Sequence, residues 1–166
     1  GRSDEVINVG GNRVGTAEVE GAILLDCARE GSPVRNCVVV GMPDPTLGMV
    51  PCAFIVCDTR AEGPAGALST SDEGTLRARV LAELGSTAVP AKFVVTKVLP
   101  ETYSGKYMRS LLRWMLADGG EGVSPPSLAG LRNPECMEPL RRAIRAAVVS
   151  LPQLQSPRPQ QRPPAA

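Results

Sequence analysis

Between Thr16 and Ala117 the hydrophobic pattern switches back and forth between helical spacing and short β-branched runs, which restricts the chain to a fold that mixes helices with a sheet. Val19, Ala22, Ile23 and Leu24 recur at helical spacing after Thr16, with Glu18 and Glu20 early in the segment, where the helix dipole favours acids. RNCVVVG at 35–41 is a β-branched run that ends on glycine, and GMPDPTLG behind it is dense in turn formers. MVPCAFIVCDT at 49–59 predicts a second strand, with Pro51 near its start, where a missing donor is best tolerated. DEGTLRARVLAELG sets Leu76, Val80, Leu81 and Leu84 on one helical face and stops at Gly85. KFVVTKVLP at 92–100 predicts a third strand, and Met108, Leu111, Leu112, Met115 and Leu116 mark another amphipathic helix. Ahead of these, INVGGNRVG has two β-prone runs around Gly10, Gly11 and Asn12 and predicts a hairpin.

The expected fold is α+β: a small three-stranded sheet with flanking helices plus an N-terminal β-hairpin, over residues 1–117. Residues 118–150 read as a Gly/Pro-rich connection and a C-terminal helical extension, whose Met137, Leu140, Ile144 and Val148 suit it to dock on the domain. Residues 60–72 read as a surface loop, and 151–166 as a disordered Pro/Gln-rich tail. The opening GRSDEVINV has no initiator methionine and reads as a piece of something longer.

Composition narrows the chemistry. The 166 residues include only two Phe, two Tyr and one Trp, too few for a surface that stacks single-stranded bases. A net charge of +1, with both signs mixed along the chain, implies neither nucleic acid nor an anionic membrane as partner. There is no histidine, which removes Ser-His-Asp and Cys-His nucleophile systems and imidazole zinc sites, and no metal site is expected. Cys27, Cys37, Cys52, Cys57 and Cys136 are odd in number and lack a CxxC pair, so they read as small buried thiols in a reducing compartment. No signal peptide or membrane-length apolar run is present, and the expectation is a soluble, cytoplasmic chain.

The stretch ETYSGKYMR at 101–109 sets Lys106 behind Gly105 and ahead of a helical pattern. It is not a P-loop, because Pro100 and Tyr107 occupy positions where that motif needs Gly and Ser or Thr. What remains is an ammonium on a glycine-hinged loop near a helix start, able to stabilise charge on a phosphate or carboxylate oxygen, or else a solvated surface lysine.

Two ordered motifs decide between these readings. GRSDEVINVGGNRVGTAEVE at the start and LPETYSGKYMRSLLR beyond the third strand resemble the closing motifs of the AMP-forming acyl-CoA synthetases of the adenylate-forming superfamily, most like those of the acetyl-CoA synthetase branch. The likeness covers residues 1 to about 117, and SLAGLRNPECMEPLRRAI is faintly similar to that branch's last helix. It implies the mobile C-terminal lid of an acid-thiol ligase that uses ATP, Mg2+ and coenzyme A on acetate or another short-chain carboxylate. It also implies a larger N-terminal domain as partner and no activity without it.

By position, Lys106 resembles the lysine of the adenylation step, and Arg2 and Arg13 resemble arginines that hold the nucleotide. These three cations are expected to share a face. Asp4 resembles the hinge residue, and Gly10 and Gly11 resemble the bare backbone lining the coenzyme A tunnel. Glu101 and Tyr103 replace two cations usual in the family, Met49 stands where Glu or Gln is usual, and Leu81 stands where an arginine often faces coenzyme A. The alternatives are a non-catalytic binding or scaffold domain of the same fold, and the lid of a carrier-protein-loading adenylation domain.

Overall fold

The computed structural model describes residues 5–57, 68–117 and 126–149. Arg2 and Asp4, most of the expected 60–72 loop, part of the 118–134 connection and the Pro/Gln-rich tail lie outside the described residues.

Strands β1 (Val6–Val9) and β2 (Asn12–Gly15) form the expected hairpin and lead into helix α1 (Thr16–Leu24), which tightens into a 3-10 turn over Leu25–Ala28. Strands β3 (Val34–Asp44) and β4 (Gly48–Cys57) pair antiparallel from Val34↔Cys57 to Asp44↔Gly48. Helix α2 (Thr70–Leu84) begins at Ser69, whose hydroxyl accepts the Asp72 N–H at 3.0 Å as an N-cap. Strand β5 (Lys92–Thr96), helix α3 (Arg109–Leu116) and helix α4 (Met137–Val149) follow.

The hairpin does not stand apart from a three-stranded sheet, as the sequence suggests; it is part of one sheet of five strands. Along one edge β4 carries β3, and along the other it takes the hairpin at Val9↔Gly48 and then the parallel strand β5, from Cys52↔Lys92 to Val56↔Thr96. Strand β5 is only five residues long against ten in β4, so the start of β4 is left open and the hairpin fills it.

Both faces of this sheet are covered, which explains why β3 reads as the unbroken run Val38-Val39-Val40 rather than as an alternation. On one face Cys37, Val39, Ala53 and Ile55 meet Val19 and Ile23 of α1 and Leu76 and Val80 of α2. On the other, Val38, Val40, Cys52 and Phe54 meet Leu111, Leu112 and Met115 of α3 and Leu140 and Ile144 of α4. Leu81, expected on the buried face of α2, is 53% exposed, because the stripe that meets the sheet is the narrow series Leu76, Val80, Leu84.

The cysteines divide. Cys37, Cys52 and Cys136 are buried, Cys57 is half-buried and all five are free thiols, but Cys27 is exposed. In its 3-10 turn the inward position belongs to Asp26, which is fully buried among charged and polar partners.

Candidate functional site

Lys106 closes a tight turn. The Thr102 N–H donates to the Lys106 carbonyl at 2.8 Å, and the Gly105 N–H donates to the Thr102 carbonyl at 2.9 Å. The Thr102 hydroxyl oxygen accepts the Lys106 N–H at 3.1 Å and lies 3.2 Å from the Lys106 carbonyl. Gly105 has φ +79°, a left-handed angle that gives glycine its place here. The loop that reads in sequence as a free hinge is therefore tied, and Thr102, four residues before the lysine, is the residue that ties it. Relocating the ammonium is left to its own four-carbon stem and to movement of the whole unit. The Lys106 side chain is exposed and has no hydrogen-bond or ion-pair partner among the described residues.

The far side of the turn is anchored on β3. Tyr107 pairs with Glu101 across the turn, and its hydroxyl accepts from Asn36 Nδ2 at 2.5 Å. Two residues later, Arg109 reaches Glu20 of α1 and the Val39 carbonyl. Glu101 does not stand as an unpaired negative charge beside the lysine, because its carboxylate forms an ion pair with Arg132. Thr102, Asn36, Glu20 and Arg132 carry no signal as site residues in a single sequence; only Arg109, three residues past Lys106 in the quoted motif, could have drawn notice.

The hairpin forms the second locus. Gly10 and Gly11 have φ +55° and +90°, so both central residues of the two-residue turn are left-handed, as the tight hairpin turn requires. The Gly10 N–H donates to the Leu47 carbonyl at 3.0 Å, and a Cβ on Gly10 would sit 3.0 Å from Leu47 Cδ2. Gly11 faces open space and donates its N–H to Asn8 Oδ1 at 3.0 Å. Arg13, on β2 opposite Asn8, is exposed and has no ion-pair partner among the described residues. Beside the turn is a cleft of about 400 Å³ lined by Gly10, Asn12, Leu47, Pro51 and Thr87 among others. Met49 is half-buried, packed against the first core face.

The structure gathers Gly10, Gly11 and Arg13 and sets Lys106 apart from them. Lys106's turn is bound near Asn36 at the start of β3, whereas the hairpin is bound to Leu47 and Gly48 just beyond its end. At ~3.3 Å per residue, the stretch of β3 from Asn36 to Asp44 sets these two anchor points about 26 Å apart. The expectation that Arg13 and Lys106 share a face is thus corrected; a strand's length keeps them at opposite ends of the sheet. Among the described residues, no group of three or more His, Cys, Asp or Glu side chains is placed to hold a metal ion, and no helix is long and apolar enough to cross a membrane.

A helix-covered five-stranded sheet with a glycine hairpin at one end and an exposed lysine turn at the other defines the class. Residues 27–106, running from the turn after α1 to the lysine itself, match the family of AMP-binding enzyme C-terminal domains. The fold is similar to that of an acyl-CoA synthetase from Brucella canis, with a TM-score of 0.59 and 32% identity over 71% of this chain and 20% of that one. The chain thus carries an AMP-binding enzyme C-terminal domain over residues 27–106, in a fold similar to that of acyl-CoA synthetase C-terminal domains.

Within that class it is similar to proteins named acetyl-coenzyme A synthetase. It is 37% identical over 143 residues to the one from Herminiimonas arsenicoxydans, covering 86% of this chain and 20% of the relative. With the one from Paraburkholderia phymatum the identity is 40% over 141 residues, covering 84% and 20%. The chain thus spans about a fifth of the length of the relatives it matches.

Proposed function

We propose that this chain is the mobile lid of an ATP-dependent, AMP-forming ligase that joins acetate or another short-chain carboxylate to coenzyme A. The observation that carries this reading is the placement of Lys106 and of the Gly10–Gly11 hairpin at opposite ends of one rigid sheet. A larger N-terminal domain would hold ATP with its Mg2+ and the carboxylate, and the lid would present one end for each half-reaction.

In the first half a carboxylate oxygen attacks the α-phosphorus, an acyl-adenylate forms and pyrophosphate leaves. Charge on the oxygens between carbon and phosphorus is stabilised by the Lys106 ammonium, which has no partner among the described residues to leave. In the second half the coenzyme A sulfur attacks the acyl carbon, a thioester forms and AMP leaves with the electron pair. Gly11, with open space where a side chain would stand, lets the thin pantetheine arm pass against the backbone, and Gly10 holds the turn close on Leu47. Because Arg13 lies with these glycines, it meets the nucleotide phosphate in the thioester-forming orientation. Arg2 holds ribose and phosphate in this proposal, and Asp4 supplies the hinge. Burial of Cys37, Cys52 and Cys136 as packing groups suits a reducing, cytoplasmic setting.

The test joins the whole chain to the N-terminal part of the Herminiimonas arsenicoxydans relative. Lys106→Ala should lower ATP–pyrophosphate exchange by roughly a hundredfold or more. Thioester formation from supplied acetyl-adenylate should stay within about threefold. Gly11→Val should do the reverse, and the chain alone should not turn over. Equal loss of both halves in Lys106→Ala would defeat the proposal.

A further inference from the structure

The segment that leads from β5 into the Lys106 turn is held by residues from far along the sequence. Leu131 pairs antiparallel with Thr102, and the Arg132 N–H donates to the Glu101 carbonyl at 2.8 Å. Asn133 spans two peptide groups of the same segment: its Oδ1 accepts the Glu101 N–H at 3.0 Å and its Nδ2 donates to the Leu99 carbonyl at 2.8 Å. It is only 7% exposed.

Asn133 occupies the N-cap of the 3-10 turn Pro134–Cys136, where an asparagine ordinarily accepts a hydrogen bond from the helix's own first amides. Its side chain makes no such cap bond and is spent on Leu99 and Glu101 instead. The flanking residues are fixed in depth, since Leu131 and Cys136 are buried in the same core cluster as Leu99 and Leu140. Thr102 is the relay, because it pairs with Leu131 and also closes the turn on Lys106 through its N–H and hydroxyl.

We infer that Leu131, Arg132 and Asn133 form a clamp that fixes where the Lys106 ammonium is presented, with Asn133 as its central positioning residue. Arg132 completes it through Glu101, so a position where the family usually has a cation serves here as the clamp's ion-pair partner. The catalytic consequence rests on the function proposed above, while the mechanical claim stands without it.

Two arms test it. In the chain itself, amide hydrogen exchange is read at Gly105 and Lys106, whose N–H groups are both bonded to Thr102. Asn133→Ala should speed exchange there about tenfold or more, with core amides such as Ile55 unchanged. Arg132→Glu, at a side chain 52% exposed, should act in the same direction without threatening the fold. The charge-swapped pair Glu101→Arg with Arg132→Glu should restore the wild-type rate. In the joined protein, Asn133→Ala should lower pyrophosphate exchange roughly ten- to a hundredfold, as a displaced reacting group does. Thioester formation from acetyl-adenylate should change by less than about threefold. Unchanged exchange at Gly105 and Lys106 in both single variants, failure of the swapped pair to rescue, or equal loss of both half-reactions would overturn the clamp. If the unmodified joined protein lacks pyrophosphate exchange, the proposed function fails, and the hydrogen-exchange arm still decides the clamp.

Discussion

Arg109 of α3 and Glu20 of α1 meet across the outer edge of β3, with Nη1 2.5 Å from Oε1 and Nη2 3.1 Å from Oε2. Val39 lies between them: its N–H donates to Glu20 Oε1 at 2.7 Å and its carbonyl accepts from Arg109 Nη1 at 2.8 Å. An edge strand leaves alternate N–H and C=O groups unpaired. Here one fork-to-fork ion pair satisfies such a residue and joins the helices of the two faces.

Removing either partner leaves the other as a half-buried charge beside an unpaired peptide group. Side-chain exposures of 22% for Arg109 and 14% for Glu20 place the pair between the surface and core cases. Arg109→Ala and Glu20→Ala should each destabilise the chain by about 2 kcal/mol. Arg109→Lys should recover only part of this, because it keeps the charge and loses the planar fork. Urea unfolding followed by circular dichroism measures all three, and losses under about 0.5 kcal/mol would show that water substitutes for the pair.

This pair also marks the boundary of what the sequence discloses. Helical spacing and β-branched runs locate every helix and strand from α1 to α4, because each pattern is set by neighbours within one element. Gly10 and Gly11 are legible for the same reason, since their left-handed angles belong to a single turn. Glu20 and Arg109 are 89 residues apart, and neither GTAEVE nor SGKYMR names the other. Joining the hairpin to the main sheet depends on the Val9↔Gly48 pairing and the Gly10–Leu47 hydrogen bond, which no local pattern encodes. Lys106, Arg13, Gly10 and Gly11 stand out as motif residues, but their division between two ends of β3 follows from strand order. Thr102 and Asn133 escape notice because a threonine in a loop and an asparagine before proline have ordinary local uses.

Helix α4 is held as a core element. Leu140 is fully buried and Ile144 nearly so, in one cluster with Phe54, Val94 and Leu111. Leu140→Ala should cost about 2–5 kcal/mol, the usual range for a leucine whose cavity cannot collapse. Val148→Ala, at a residue 42% exposed, should cost under about 0.5 kcal/mol. Chemical denaturation should show a single transition for both variants. Loss of α4 signals in Leu140→Ala with the sheet intact would instead make the helix a separable appendage.

Asp26 predicts how the fold responds to acid. Burial disfavours its charged form, but hydrogen bonds from Arg29 and Ser32, together with the charges of Arg29 and Arg79, outweigh that and hold its carboxyl below the ordinary value of 3.8. Arg29 Nε lies 2.9 Å from Oδ1 and the Ser32 hydroxyl 2.6 Å from Oδ2. A carboxyl whose folded value is depressed contributes stability that is complete above its unfolded value and is lost as pH falls through the folded one. Stability should therefore drop below about pH 4, and Asp26→Asn should be less stable at pH 7 with a flatter decline in that window. Melting temperatures from pH 7 to pH 2 read this directly, and parallel curves for the two proteins would remove Asp26 from the acid response.

Thiol chemistry tests the packing of the sheet itself. Cys52 lies in the centre of β4 with no exposed surface, and burial pushes its thiol up to about 12; burial, aided by the charge of Asp72, pushes Cys57 to about 11. Cys37 is raised well above its ordinary value by burial and by the nearby Glu20. Only the thiolate attacks a disulfide or alkyl reagent, so these groups are slowed both by lack of access and by lack of ionised form. Cys27 alone is exposed. At pH 8 a disulfide reagent should therefore label Cys27 within the mixing time of a hand assay and Cys57 far more slowly. Cys37, Cys52 and Cys136 should react only at the rate at which the fold opens, and urea near the unfolding midpoint should bring all five to one rate. Fast labelling of Cys52 in the native chain would mean that the strands around it separate, and the two faces could not then be one rigid unit carrying Lys106 and the hairpin at fixed distance.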